Sequence, residues 1–265
     1  MAGSAKTEEF ILGSATVMLG PMADLMDLNV AEHSIGLVKN VSVSAQNTFT
    51  DLTQGVTNSV VASIATGNDV SLSMEVYEFT AKNLAYGLGL SGAYAKKTVE
   101  GAVNSEVSAE STTVDIAAAS DNTSDFPAGA AVVIQGAQGS EDEVHISKVV
   151  SASFDTDTTT VTIADATPAG VTFPVGAKLI VVNELEMREA PENEYFSAKI
   201  VGVMPMDKKP IALIFPKVKI TQGFNLAFGT DDFSNMPFEI APQVLVATDA
   251  LYANFKGVKG KLLRQ

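Results

Sequence analysis

Apolar and polar residues alternate along several segments of the chain. This pattern predicts β-strands, because successive side chains of a strand point to opposite faces of a sheet. The clearest alternation covers residues 69–77. Its apolar positions are Val70, Leu72, Met74 and Val76, and its polar positions are Ser71, Ser73 and Glu75. Two earlier apolar segments, residues 35–44 and 57–65, predict further strands.

A helical period replaces the alternation directly after this strand. The spacing i, i+3, i+4, i+7 is followed by Ala81, Leu84, Ala85 and Leu88. Glycines at positions 87, 89 and 92 then favour the end of a helix, because glycine tolerates the left-handed backbone found there. The pattern predicts one amphipathic helix near residues 79–88 that packs on a sheet.

Between the first two predicted strands, residues 46–56 are rich in Thr, Asn, Asp and Gln. This composition predicts a long polar hairpin loop. Such a loop has little core of its own, so we expect its order to come from a partner. The residues expected to make that contact are Asn47, Phe49, Asp51, Leu52 and Gln54, with Phe49 and Leu52 as the apolar anchors.

The composition changes abruptly near residue 99, and residues 99–183 are rich in Ser, Thr, Ala, Asp and Val. Short strand patterns occur there at 131–135, 143–150 and 159–163. The segment holds 12 acidic residues against Lys148 and Lys178, so it carries about −10 of the formal net charge of −14. We interpret it as a separate, acidic β domain.

Strand patterns resume after this segment, at residues 195–204, 211–215, 218–228 and 238–247. In the third of these, Val218 and Ile220 are in phase and Lys217 lies on the opposite face. The sequence therefore predicts a mainly β fold in which the first domain is split by an insertion. The split, β-sandwich-like core with one packed helix would comprise residues 1–98 and 184–265, and the inserted small β domain residues 99–183.

Composition excludes several classes of function. The chain has no cysteine, and only His33 and His145 could supply imidazole, so the sequence predicts no catalytic residues, no metal site and no cofactor. A net charge of −14 argues against broad contact with nucleic acid, which depends on Lys and Arg. No apolar run approaches the ~20 residues of a membrane-spanning helix, and the first residues carry no secretion signal. We expect synthesis to end in the cytoplasm.

Two short motifs suggest chemistry but have simpler explanations. Residues 87–92 match G-x-G-x-x-G, yet they end a predicted helix, whereas a dinucleotide site needs the motif between a strand and a helix start. The acidic residues of 141–143, and the pair Asp155 and Asp157, could offer oxygen ligands to Ca²⁺. Neither matches a calcium-binding loop, and both are typical of solvated turns.

The order of these segments resembles the tail tube proteins of long-tailed bacteriophages. The resemblance covers residues 36–65, the strand-to-helix segment DVSLSMEVYEFTAKNLAYGLGL, and the closing segment GTDDFSNMPFEIAPQVLVA with Asp231, Asp232 and the turn at 237–239. The insertion is similar to small β modules that phages attach to tail and surface proteins. Its matching positions are 126–129 and 174–176.

This resemblance implies a structural subunit without catalytic activity. Six subunits would form a ring whose sheets join into a barrel, and stacked rings would enclose a lumen through which viral DNA passes without specific binding. Ser71, Ser73 and Glu75 are the candidates for facing the lumen, residues 46–56 would contact the next ring, and the insertion would project outward. The implied partners are further copies of the chain and the tail terminator, baseplate or tape-measure proteins. The implied location is the virion tail, assembled in the host cytoplasm.

Two other classes of function stay open. The chain could be a phage or cell-surface binding protein whose acidic insertion recognises a host glycan or Ca²⁺. An exposed aromatic cluster would favour this class, but the chain has no Trp, and the aromatic residues of the insertion are Phe126, Phe154 and Phe173. An enzyme would need a convergent polar site, which the sequence does not suggest.

Overall fold

The fold is mainly β, with two antiparallel sheets, one of them curled into a half-barrel, and three short helices. The computed structural model describes residues 15–54, 56, 58–90, 99–137, 142–185, 187, 194–203, 209–226 and 234–264. The chain divides into two compact units, residues 1–94 with 187–265 and residues 95–186. These boundaries differ by four residues or fewer from those that the composition predicts.

The first unit is built on a seven-stranded antiparallel sheet. Along the chain its strands are β1 (Ala15–Pro21), β2 (Val38–Gln54), β3 (Ser59–Val76), β10 (Phe196–Val203), β11 (Pro210–Gln222), β12 (Met236–Pro242) and β13 (Lys261–Arg264). Their spatial order is β1-β10-β11-β12-β3-β2, and β13 also pairs with β11. Three helices accompany them, α1 (Val30–His33), α2 (Ala81–Gly87) and α3 (Tyr252–Phe255).

This sheet curls around its main core. The backbone N–H of Ile35 donates to the carbonyl of Val17 in β1 at 3.1 Å, and the chain enters β2 three residues later, at the other end of the strand order. Both end strands therefore lie beside one apolar cluster. That cluster includes Leu19, Ile35, Leu72, Met74, Val76, Tyr86, Phe196, Phe215, Val218, Met236, Phe238 and Ile240.

The predicted helix is confirmed as α2, and it covers part of this core. The Thr80 side chain caps its start by accepting a hydrogen bond from the N–H of Asn83 at 3.2 Å. Tyr86 packs edge-to-face on Phe196, with ring centroids 5.1 Å apart, and its hydroxyl donates to the carbonyl of Leu19 at 3.1 Å. Burial raises the pKa of Tyr86 to about 12, so the hydroxyl stays a donor at neutral pH.

The two predicted strands 211–215 and 218–228 form one strand, β11, which ends at Gln222. A register shift opposite Phe196 and Ala198 places Phe215 and Val218, three positions apart, on the same core. Pro216 lies in this bulge, a position where a strand accepts proline. The phase of the alternation changes at the bulge, so the pattern predicted two strands instead of one.

The other face of the sheet is covered by a smaller cluster and a buried ion pair. Met18, Leu25, Leu28, Leu245 and Phe255 form the cluster. Lys217, which the pattern placed on a polar face, is buried and bonds through its Nζ to the Asp249 Oδ2 at 2.9 Å. Its Nζ also lies 4.4 Å from the centroid of the Tyr195 ring. This lysine therefore fixes the segment after β12 against the sheet.

The predicted long loop at residues 46–56 is wrong as a description of the backbone. β2 continues to Gln54 and pairs with β3 from Val38 to Gln54, with register shifts along the way. β3 is likewise one strand of 18 residues, where the pattern predicted two. At residues 46–54 and 59–69 the two backbones pair, but the side chains on both faces are exposed. Alternation of apolar and polar residues reports the burial of one face and not backbone pairing, so it did not predict this part of the hairpin.

The second unit contains a six-stranded antiparallel sheet. Its strands are β4 (Glu100–Ala102), β5 (Thr113–Ala117), β6 (Ala131–Gln135), β7 (Val144–Asp155), β8 (Thr158–Ile163) and β9 (Lys178–Val181). Their order is β4-β9-β6-β7-β8-β5, and a bridge from Val103 to Ile116 links the two ends. The sheet thus closes around its own core, which includes Val114, Phe126, Ile134, Phe173 and Leu179.

The buried ion pair predicts an acid-sensitive contribution to stability. Hydrogen bonds from Lys217 and from the N–H of Val246 lower the pKa of Asp249 below its ordinary value of 3.8. The stabilisation is therefore complete above that value and is lost as the pH falls through the lower pKa of the folded state. Asp249→Asn should reduce the free energy of unfolding at pH 7, and its difference from the parent should vanish in acid.

Tyrosine fluorescence during urea unfolding measures this difference, since all five tyrosines lie in the first unit. The exposed Asp27 of the same unit supplies the matched control, Asp27→Asn. An Asp249→Asn protein with parental stability at pH 7 would show that the pair contributes nothing.

Candidate assembly interface

The hairpin of β2 and β3 extends beyond the rest of its sheet. β12 pairs with β3 at residues 72–76, whereas β2 pairs with β3 as far as Gln54 and Ser59. Residues 46–54 and 59–69 therefore form a two-stranded ribbon, which we call the arm. Its nine residue pairs make it about 30 Å long at the usual rise of a strand. Every described residue of the arm is exposed.

The arm carries a concentration of apolar side chains that nothing in the chain covers among the described residues. More than half of the surface is exposed for each of Phe49, Leu52, Val60, Val61 and Ile64. Val56, at the turn, is fully exposed. Scattered exposed apolar residues are ordinary, but a contiguous group on one projecting element is typical of an interaction surface.

Register divides these side chains between the two faces of the arm. Leu52 lies opposite Ala62 and Thr50 opposite Ile64, so Leu52 and Ile64 are diagonal neighbours on one face. Phe49 lies opposite Ala65 and therefore on the other face. A partner could contact either face through an apolar anchor.

Polar side chains bond across the arm and fix its register. Asn68 Nδ2 donates to Asn47 Oδ1 at 2.6 Å, and the Ser63 hydroxyl donates to Asp51. Nearer the sheet, the hydroxyls of Ser44 and Ser71 are 2.8 Å apart. An isolated two-stranded hairpin is marginal in water, so these bonds contribute to keeping the two strands of the arm paired.

The arm is almost uncharged. Asp51 is the one ionisable residue in positions 46–68 of the sequence. At the base of the arm the Lys259 Nζ lies 3.7 Å from the Asp69 Oδ1, which fastens the C-terminal segment to the arm. A surface with so little charge can be buried at low electrostatic cost.

The expected contact residues thus all lie on the first strand of the arm. Sequence reasoning missed the second strand, because residues 57–65 read as an ordinary buried strand. In the structure Val60, Val61 and Ile64 are exposed and lie across from the expected contact residues. Apolar and polar residues do not alternate strictly in VVASIA, residues 60–65. This departure is the signal in the sequence that argued against a half-buried strand.

The three candidate lumen residues share one face of β3. Ser71 and Ser73 are exposed and Glu75 is half-buried, whereas Leu72, Met74 and Val76 are buried on the other face. Hydrogen bonds from Asn40 and Tyr77 lower the pKa of Glu75, so its carboxylate is held charged. The polar face predicted by alternation is confirmed, and what it faces in an assembly stays a prediction.

The glycines at the start of the G-x-G-x-x-G match, residues 87–92, lie at the end of a helix and not in a strand-to-helix turn. Gly87 ends α2, and Gly89 has φ +72°, with its N–H bonded to the carbonyl of Tyr86, as in a helix stop. A Cβ on Gly87 would lie 2.4 Å from the carbonyl oxygen of Gly223, so glycine here lets the helix approach the end of β11. Ser91 and Gly92 lie outside the described residues.

Each of the two histidines forms a hydrogen bond with a backbone group. His145 bonds through Nε2 to the carbonyl of Asp165 at 3.0 Å, and His33 accepts through Nδ1 from the N–H of Asn29 at 3.4 Å. Within the described part of the chain, no group of three His, Cys, Asp or Glu residues could hold a metal ion. Glu141, part of the acidic run, lies outside that part.

Comparison with known proteins does not assign the chain to a family. No protein-family model and no curated protein matches the sequence. No helix among the described residues is both long and apolar enough to cross a membrane.

The exposure of the arm predicts that its anchors contribute little to the stability of the free subunit. The double substitution Phe49→Ser and Leu52→Ser should change the free energy of unfolding by no more than about 0.5 kcal/mol, as is usual for surface positions. Phe238→Ala, in the main core, should cost about 3–5 kcal/mol. Urea unfolding followed by tyrosine fluorescence compares the two, and a large loss in the double variant would mean that the arm packs on its own subunit.

Proposed function

We propose that the chain is a structural subunit of a bacteriophage tail tube, which forms stacked hexameric rings around a lumen for viral DNA. The observation that carries the proposal is the arm, an uncovered apolar ribbon that projects about 30 Å from a curled antiparallel sheet. Because every described residue of the arm is exposed, the arm does not contribute to the core of its own subunit. It supports a contact that repeats from copy to copy.

The edges of the sheet support lateral assembly. Among the described strands, β2 pairs with β3 alone and lies at one end of the strand order, and β1 lies at the other end. A strand edge exposes unpaired backbone groups, and joining edges between subunits into a closed barrel removes them. A ring of curled sheets is therefore a way to satisfy the edges of every subunit at once.

The polar face of β3 supports a lumen suited to DNA. Ser71, Ser73 and Glu75 would present hydroxyls and a carboxylate to the passing phosphates. Lys39 of β2 pairs with Glu75 in register and lies beside this face, where the Glu75 carboxylate offsets its charge. Further lysine or arginine there would bind phosphate and slow transit. In this role the protein needs no catalytic group, and its partners are its own copies together with the tail terminator, baseplate or tape-measure proteins. It would belong to the virion tail and assemble in the host cytoplasm, and the insertion would project outward.

One observation favours a second function, recognition of a host ligand by the acidic insertion. On β7 the polar residues His145 and Ser147 are buried, while Val144, Ile146 and Val150 are exposed. This inverted strand gives the insertion an apolar surface within a strongly acidic domain. A surface-binding protein would use it against a ligand, whereas a tube subunit could carry it as an additional contact.

The tube proposal predicts that the arm is required for polymerisation. The double variant Phe49→Ser and Leu52→Ser should remain folded but fail to form tubes, because each anchor contributes roughly 1.5–3 kcal/mol when fully enclosed. Sedimentation and electron microscopy of parent and variant at equal concentration measure this. Leu226→Ser, at an exposed position outside the arm, is the control and should leave polymerisation intact. Unimpaired tubes from the double variant would rule out the arm as the contact.

A second prediction concerns the insertion. Removing residues 99–183 and joining the ends should leave a subunit that still folds and polymerises, because the insertion has its own core. Tyrosine fluorescence reports the fold of the remaining unit, and electron microscopy reports the tubes. A shortened chain that folds but no longer polymerises would place the insertion in the assembly contact, and one that fails to fold would make it part of the core.

A further inference from the structure

An open groove lies at the base of the arm, between the arm and the C-terminal segment. It has a volume of about 560 Å³ and is lined mainly by aliphatic and aromatic side chains. Its principal apolar residues are Val43, Val70, Leu213, Phe215 and Leu262. The groove opens beside the main core, because Val70, Leu213 and Phe215 also belong to that core or pack on it.

Two lysines give one wall of the groove a positive charge. The Lys259 Nζ lies near Asp69 and donates to the carbonyl of Asn68, so it is held in place at the base of the arm. The Lys261 Nζ donates to the carbonyl of Asn254 at 3.1 Å and lies 4.3 Å from the centroid of the Phe255 ring. Asp69 offsets the first charge, whereas no carboxylate of the described residues forms an ion pair with Lys261.

The arm of the same subunit cannot fill this groove. The groove is lined by Asn68 at the base of the arm and by Val43, Ala45 and Val70, which lie just below the arm on the same two strands. The outer half of the arm, with Leu52 and Ile64, lies several residue pairs away along a hydrogen-bonded ribbon. A two-stranded ribbon cannot fold back on its own base without breaking that pairing, so an arm in the groove must come from another copy.

The outer arm and the groove are complementary in chemistry. Phe49, Asp51 and Val60 share a face of the arm, because Phe49 pairs with Ala65, Asp51 with Ser63 and Thr53 with Val60. Phe49 and Val60 would meet an apolar lining, which includes Leu213 and Phe215. Asp51 is the one charged residue of positions 46–68, and Lys261 supplies the opposite charge at the groove. Burial of apolar surface gives such a contact its strength, and the charges favour one orientation.

We propose that the groove is the receptor for the outer arm of a second copy of this chain. This inference rests on the proposed function and names the surface that the arm contacts. Because the arm and its receptor are different surfaces of one subunit, the contact is heterologous, and it can repeat from copy to copy along a stack. An open-ended contact of this kind is what a stack of rings requires.

Disulfide cross-linking tests the contact directly, since the chain has no cysteine. One copy carries Thr53→Cys, on the face of the arm that holds Asp51, and a second, size-tagged copy carries Leu262→Cys, both at exposed positions. The two are mixed, assembled into tubes and oxidised, and heterodimers are counted on a non-reducing gel. The matched control replaces the second copy with Leu226→Cys, an exposed residue that does not line the groove.

The expected result is a heterodimer band for positions 53 and 262 in clear excess over the control pair. Charge reversal supplies a second measurement. Lys261→Glu should reduce the amount of sedimenting tube, and the addition of Asp51→Lys should restore it. Tubes that form without the excess band and without this rescue would overturn the groove as receptor while leaving the tube function intact. The absence of any tube from the parent chain would overturn both.

Discussion

A two-stranded ribbon has no face that its own chain can bury, and the main features of this protein follow from that constraint. β12 pairs with β3 only as far as Leu72, so among the described residues the remaining length of the hairpin has neither a third strand nor a core. Its backbone is paired, but both rows of its side chains meet solvent. The apolar residues along it would be a liability in a monomer, and they become useful only when a second molecule covers them.

The rest of the first unit supplies a firm base for this ribbon. The sheet has a large core on one face, and on the other a small cluster held by the buried pair of Lys217 and Asp249. Lys259 links the C-terminal segment to the base of the arm at Asp69. This link helps to hold the base of the arm in place, because the pairing of a two-stranded ribbon alone gives it little stability.

Sequence reasoning succeeded where burial and pairing coincide. The alternation at 70–76, the helix α2 and the strand β6 at 131–135 were all predictable, because each presents one face to a core. The first strand of the arm was taken for a loop because its side chains have no periodic burial, whereas residues 57–65 were predicted as a strand. β11 was divided in two by the bulge at Pro216, and the role of Lys217 was hidden because its partner, Asp249, comes 32 residues later in the chain. The expected contact residues are exposed, but they lie on a strand and not in a loop, and their role in a contact stays a prediction.

Cryo-electron microscopy of the purified, concentrated chain tests the central claim most directly, because it reports whether the subunit assembles and with what symmetry. A tube subunit predicts hollow polymers with six copies in each ring, a lumen lined by the face of β3 that carries Ser71 and Ser73, and density for the arm between rings. Discrete monomers or trimers under the same conditions, with the arm in solvent, would contradict a tube subunit and favour a surface-binding protein.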